Sequence, residues 1–124
     1  MSKIKVNSII HSNNEKDVIV SCYGIKNDNL ITYKDESAFV NILLTKDFIS
    51  ITRENDEFKL KLCFKNNDKC TSDYFIKDIA LNIEVLTNTK RLEINDNKIT
   101  IEYELFLNGE LSDVFVYTME WSDL

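Results

Sequence analysis

Proline is absent from this chain, glycine occurs twice, histidine once and cysteine three times. Each scarcity excludes something. With glycines only at positions 24 and 109, no glycine-rich phosphate loop of the GxGxxG or Walker type can be written. A single histidine, His11, removes histidine-rich metal sites and most Ser-His-Asp or Cys-His catalysis. It falls near the end of the first expected strand, where an exposed side chain is the default. No two cysteines have CxxC spacing, and an odd number is no disulfide framework. Neither a metal nor a cofactor is therefore expected, no catalytic residue is assigned, and an enzyme is the least favoured reading.

Long apolar runs are missing too, which rules out a transmembrane helix. The opening stretch "MSKIKVNSIIHSNNEKD" lacks the apolar core and small-residue cleavage site of a secretory signal, so the cytoplasm is the expected compartment. A reducing compartment keeps thiols reduced. Cys63 and Cys70 flank "FKNNDK", and a hairpin there sets them opposite one another; two free thiols across the sheet are the expectation, with a regulatory disulfide as the alternative. The formal net charge is −6, and the lysines alternate with acids rather than cluster. Nucleic acid and anionic membranes are accordingly not expected as partners.

What the chain does have is a hydrophobic content of 44%, enough for one core, and a period of two nearly throughout. One domain spanning residues 1–124 is expected. Asn and Asp supply the turns that Gly and Pro usually make, because both enter the left-handed region and cap their own backbone. Strands are read near residues 3–12, 17–26, 29–36, 38–46, 47–53, 57–65, 69–77, 79–88, 91–95, 97–107 and 110–121. The clearest is "EFKLKLCFK", where Phe58, Leu60, Leu62 and Phe64 alternate with Lys59, Lys61, Cys63 and Lys65. The segment "DYFIKDIALNIEVLTNTK" also fits a helical stripe with Asp73 as N-cap, though its β-branched density favours strands.

Opposed residues of an antiparallel pair share a face, so each turn implies a register. A Lys46-Asp47 turn pairs Leu44 with Ile49 and Ile42 with Ile51. A loop over 54–57 pairs Ile51 with Leu60, and an Asp96-Asn97 turn pairs Leu92 with Ile101. A three-residue loop at 27–29 sets Tyr33 opposite Tyr23. For "YELFLNGELSDVFVY", a plain two-residue turn at Asn108-Gly109 mixes Glu104 and Glu102 with the aromatic face. A three-residue loop with a bulge at Gly109 instead pairs Leu105 with Leu111 and Ile101 with Phe115, and is preferred. One apolar face thus runs through consecutive hairpins. The expected fold is all-β, an antiparallel up-and-down meander of about 8–10 strands closed into a barrel, with a sandwich as the alternative.

Polar residues on the apolar parity are the candidates for function. Arg53 ends "FISITR" on the face of Ile49 and Ile51, and a guanidinium there calls for a carboxylate from the protein or from a ligand. Tyr103 shares the face of Ile101 and Leu105, Tyr33 that of Ile31, and Asp35 and Glu36 follow in "TYKDES". Tyr33, Asp35, Arg53 and Tyr103 form a candidate polar patch that orients a small apolar or amphipathic ligand within the barrel. The alternative is architectural: Arg53 at a solvated rim or paired with Asp35, and tyrosines serving as core. A filled barrel acting as a protein-interaction scaffold is the competing function, with Trp121, Phe106 and Phe115 as anchors and a homodimer as one outcome.

The segments "LITYKDESAFVNILLTKDFISITREND", "DYFIKDIALNIEVLTNTKRLEI" and "ITIEYELFLNGELSD" together resemble the YwiB-like family of small bacterial proteins, a family of unknown function. The resemblance runs from about residue 3 to residue 121, and is best at Tyr33–Glu36, Arg53, Tyr74 and Tyr103–Gly109. It implies a lipocalin-like, calycin-type β-barrel and no particular activity. Two positions depart from the family pattern: Glu54 and Asp78 stand near places where the family commonly has glycine.

Overall fold

The computed structural model describes residues 1–124. Its elements are all strands: β1 (Ser2–Ser12), β2 (Val18–Asn27), β3 (Leu30–Lys34), β4 (Phe39–Leu44), β5 (Phe48–Glu54), β6 (Phe58–Lys65), β7 (Lys69–Ile76), β8 (Leu81–Asn95), β9 (Lys98–Leu107) and β10 (Glu110–Asp123). Each pairs antiparallel with its neighbours in the chain, and β1 closes onto β10, so the sheet is a ten-stranded barrel without free edges. The segment that also fitted a helix is strand on both sides of a turn. Tyr74 and Ile76 of β7 face Ile83 and Leu81 of β8, continuing the alternation that a helix would break.

The two strands expected at 79–88 and 91–95 are one. The ladder between β8 and β9 shifts between Thr89 and Arg91, so Lys90 forms a bulge. The bulge changes the inward set from Val85, Thr87 and Thr89 to Leu92, which is why the period restarts there.

The Lys46-Asp47 and Asp96-Asn97 registers are as expected, with Leu44 opposite Ile49 and Leu92 opposite Ile101. Three others move. At the β5–β6 turn, Ile51 faces Leu62 and Arg53 faces Leu60, because the strands extend further and the loop is only Asn55–Glu57. Asn55 closes it by accepting the N–H groups of Glu57 and Phe58 at 2.7 and 3.0 Å. The β2–β3 turn uses two residues rather than three, with Asp28 at φ 53°, and so sets Tyr33 opposite Gly24 instead of Tyr23. Glycine fits that place because a Cβ would meet the Thr32 carbonyl oxygen at 2.7 Å.

The third is the Asn108-Gly109 hairpin. Both residues have positive φ, 49° and 84°, in a two-residue turn that pairs Leu107 with Glu110. Taken alone, that turn buries the wrong face. A bulge between Leu111 and Asp113 corrects it, after which Tyr103 faces Phe115 and Ile101 faces Tyr117. The expected bulge exists, but it lies inside β10 rather than in the loop.

Left-handed turn residues are mostly Asp and Asn, at 28, 67, 96 and 108; Ala80 is the exception, at φ 50°. Cys63 and Cys70 are joined by a disulfide, with Cα atoms 5.8 Å apart, so the expected pair of free thiols is corrected. The β6–β7 ladder supplies the reason. Its register ends at Leu60 opposite Tyr74, and beyond it the strands part from regular pairing, which lets the two side chains converge. Cys22 is the free cysteine.

The five loops at 13–17, 35–38, 55–57, 77–80 and 108–109 lie at one end of the barrel; the remaining turns and both termini lie at the other. The second end is packed solid. Ile4, Val6, Ile31, Ile42, Ile49, Ile99 and Met119 are fully buried there, with Phe64 beside them and Trp121 closing the row. No helix in the molecule is long and apolar enough to cross a membrane.

Candidate functional site

The first end is hollow. A cavity of about 840 Å³ opens there, and twelve of its eighteen lining residues are hydrophobic. That volume falls within the range of small-molecule sites. Its depth has a physical source in the strand number. Ten strands enclose a wider interior than eight, which barely hold their own side chains. Leu60 and Leu62 of β6, Tyr74 of β7, Leu105 of β9 and Phe115 of β10 supply the apolar walls, and remain only partly covered.

One side of the wall is polar. Arg53, at the end of β5, points its Nη1 at Asp35 Oδ2 across 2.7 Å and its Nη2 at the Ser37 hydroxyl across 2.9 Å. Asp35 heads the β3–β4 loop, and its Oδ1 accepts the N–H groups of Ser37 and Ala38 at 2.8 and 2.9 Å and the Ser37 hydroxyl at 3.1 Å. This closes an Asx-type turn, the reason the chain reverses there without glycine. Asn55 ties the loop down by donating to the Ser37 carbonyl at 2.9 Å. The Asp35 side chain is 7% exposed and that of Arg53 31%, so the carboxylate is enclosed and the guanidinium partly faces the opening. Burial raises the Asp35 pKa, but the two backbone N–H groups and the Arg53 guanidinium outweigh it and hold the carboxyl below its ordinary range.

Tyr103 is 4% exposed, lines the cavity, and stacks on Phe115 at 5.2 Å between ring centroids. Burial, then the Asp113 carboxylate, pushes its hydroxyl far above the ordinary value, so it is a neutral group with no hydrogen bond holding it. Cys22 also lines the cavity; burial and then Asp35 raise its thiol, with Lys5 opposing, which leaves it a poor nucleophile.

Of the four residues singled out by sequence, Asp35, Arg53 and Tyr103 come together on this cavity, whereas Tyr33 does not reach it. Tyr33 is buried and its hydroxyl meets that of Tyr117, which in turn meets Ser8. Tyr33 shares the inward parity but sits deeper, because residues of different strands at equal parity stand at different heights in a tilted barrel. Ser37, Leu60, Leu105 and Phe115 were missed as site residues. Ser37 had a signal: it lies two residues after Asp35 in an Asx-turn pattern. The aromatic anchors of the scaffold reading are also corrected. Trp121 belongs to the solid core and Phe115 to the cavity wall, leaving Phe106 half-buried on the outside. His11 is exposed as expected, with Nδ1 2.6 Å from Asp17 Oδ1. No three of the His, Cys, Asp and Glu side chains stand together as a metal site.

The crystal structure of YwiB from Bacillus subtilis is similar, with a TM-score of 0.73 over 98% of this chain and 90% of that one. At 16% identity the likeness speaks to the fold alone. A search of curated proteins found no match. The family model described as "Domain of unknown function (DUF1934)" matches residues 4–119, nearly the whole barrel, and the chain belongs to that family.

Proposed function

We propose that this protein is a non-catalytic binding module whose hollow end takes one small amphipathic molecule, with the polar part held at Arg53 and the apolar body against β6, β9 and β10. The observation that carries this reading is the cavity of about 840 Å³ with apolar walls and one ordered polar pole. Apolar side chains such as Leu60, Leu62, Leu105 and Phe115 border open volume there while only partly buried, and a ligand would complete their burial. Arg53 suits the polar end because its two hydrogen-bond partners, Asp35 and Ser37, leave the rest of its five N–H donors free.

Native mass spectrometry of the gently purified protein, beside a denatured control, tests it. Excess mass lost on denaturation is the expected result, and its identity names the ligand. A bare chain that also takes up no hydrophobic dye would overturn the reading.

A further inference from the structure

The charges around the opening constrain what kind of polar group it accepts. Lys34, Asp35, Glu36 and Arg53 all line the cavity, and their formal charges cancel. Arg53 is already neutralised at 2.7 Å by a carboxylate that is itself fixed by two backbone N–H groups and the Ser37 hydroxyl. The pair is therefore built into the loop and is not held open for a ligand's own carboxylate. Lys34 lies over the Phe39 ring, 5.2 Å from its centroid. Glu36 has no cation in ion-pair contact, so it adds a negative field at the lip.

We infer that the ligand's polar group is an uncharged hydrogen-bond acceptor, such as an amide, ester, ketone or alcohol oxygen, and not a carboxylate; this rests on the binding reading above. An anionic head placed on the spare Arg53 donors would come within reach of the Asp35 carboxylate. It would lose its water there without gaining an uncompensated countercharge. A cationic head meets Arg53 itself. A neutral oxygen accepts from the free guanidinium N–H groups at no such cost. Tyr103 lines the same cavity and offers a neutral hydroxyl as a further hydrogen-bonding group. Asp35 is thus a specificity-determining residue, which sets the charge that Arg53 presents.

The test is competition for the neutral dye N-phenyl-1-naphthylamine by dodecanamide and by dodecanoate, at a pH where the acid is ionised. Dodecanamide is expected to bind at least about tenfold more tightly, the ratio that corresponds to one lost charge-compensated contact. In Asp35→Asn, which frees the Arg53 charge, the preference shifts toward dodecanoate by a similar factor. Glu36→Gln moves it the same way by less, and serves if Asp35→Asn does not fold. Equal or tighter binding of dodecanoate by the unaltered protein overturns the inference while leaving the binding reading intact. Failure of the dye and both competitors to bind overturns the binding reading, and the inference with it.

Discussion

The two ends of this barrel are written in the same alternating pattern and differ in what the pattern encloses. At the solid end, Ile49 and Ile51 of β5 meet Ile42 and Phe64 and are sealed. At the hollow end, Leu60 and Leu62 of β6 continue the same inward row, yet face a cavity. Parity decides which side chains point in; it does not decide whether they meet. Isoleucine, phenylalanine and tryptophan fill one half, while Leu60, Leu62, Leu105 and Phe115 border open space in the other. The mouth is kept in shape by polar contacts, chiefly those of Asp35, instead of by apolar packing.

Truncation gives the largest expected contrast. Phe64→Ala, which empties a fully buried position, should lower the unfolding free energy by about 3–5 kcal/mol in urea titrations. Leu105→Ala, on the cavity wall, should cost only about 1 kcal/mol because it enlarges a space that already exists. Similar costs at both sites would mean that the hollow end is packed as tightly as the solid one. Reducing the Cys63–Cys70 bond comes next. It closes a loop of a few residues on β6 and β7, so its loss should cost roughly 2 kcal/mol by the loop-entropy argument, seen as a lower melting temperature with reductant. A Cys63→Ser/Cys70→Ser variant insensitive to reductant is the control.

Asp35 sharpens the contrast through pH. Its folded pKa is depressed below the ordinary 3.8, so the unfolded chain binds its proton more readily. Its stabilising effect is complete above about pH 4 and is lost as the pH falls through the depressed value. Asp35→Asn should therefore cost about 2 kcal/mol at neutral pH, from one charged hydrogen-bonding group. It should also flatten the stability profile in acid, and an unchanged acid slope would count against the pair. The smallest effect has the opposite sign. Thr89 is fully buried and its Oγ1 has no partner, so Thr89→Val should be neutral or stabilising by about 1 kcal/mol. A clear loss of stability would indicate a bonded hydroxyl.

Much of this architecture was legible in the sequence because alternation survives most errors of register. The loops at 55–57 and 108–109 both pair two residues away from expectation, yet Leu62, Tyr103 and Phe115 still point inward, since a shift of two preserves the face. Bulges are harder to read. The bulge at Lys90 makes one strand read as two, and the one before Asp113 reads as part of the loop, because an extra residue leaves no mark except a changed parity. At the site, Arg53 and Asp35 could be paired from sequence because opposite charges on one inward face need each other. The height of Tyr33 could not be read, since it depends on the stagger of β3 against its neighbours. Nor could the cavity, because an apolar wall and an apolar core have the same period.

The most direct test of the central claim fills the space. Leu105→Trp adds volume to the cavity wall without touching the solid end. One N-phenyl-1-naphthylamine per chain should bind the unaltered protein with a blue-shifted emission. The Leu105→Trp variant should keep its melting temperature and lose the dye. Equal dye binding by both proteins, or a variant that unfolds as Phe64→Ala does, would contradict an account in which one half of the barrel is core and the other is a site.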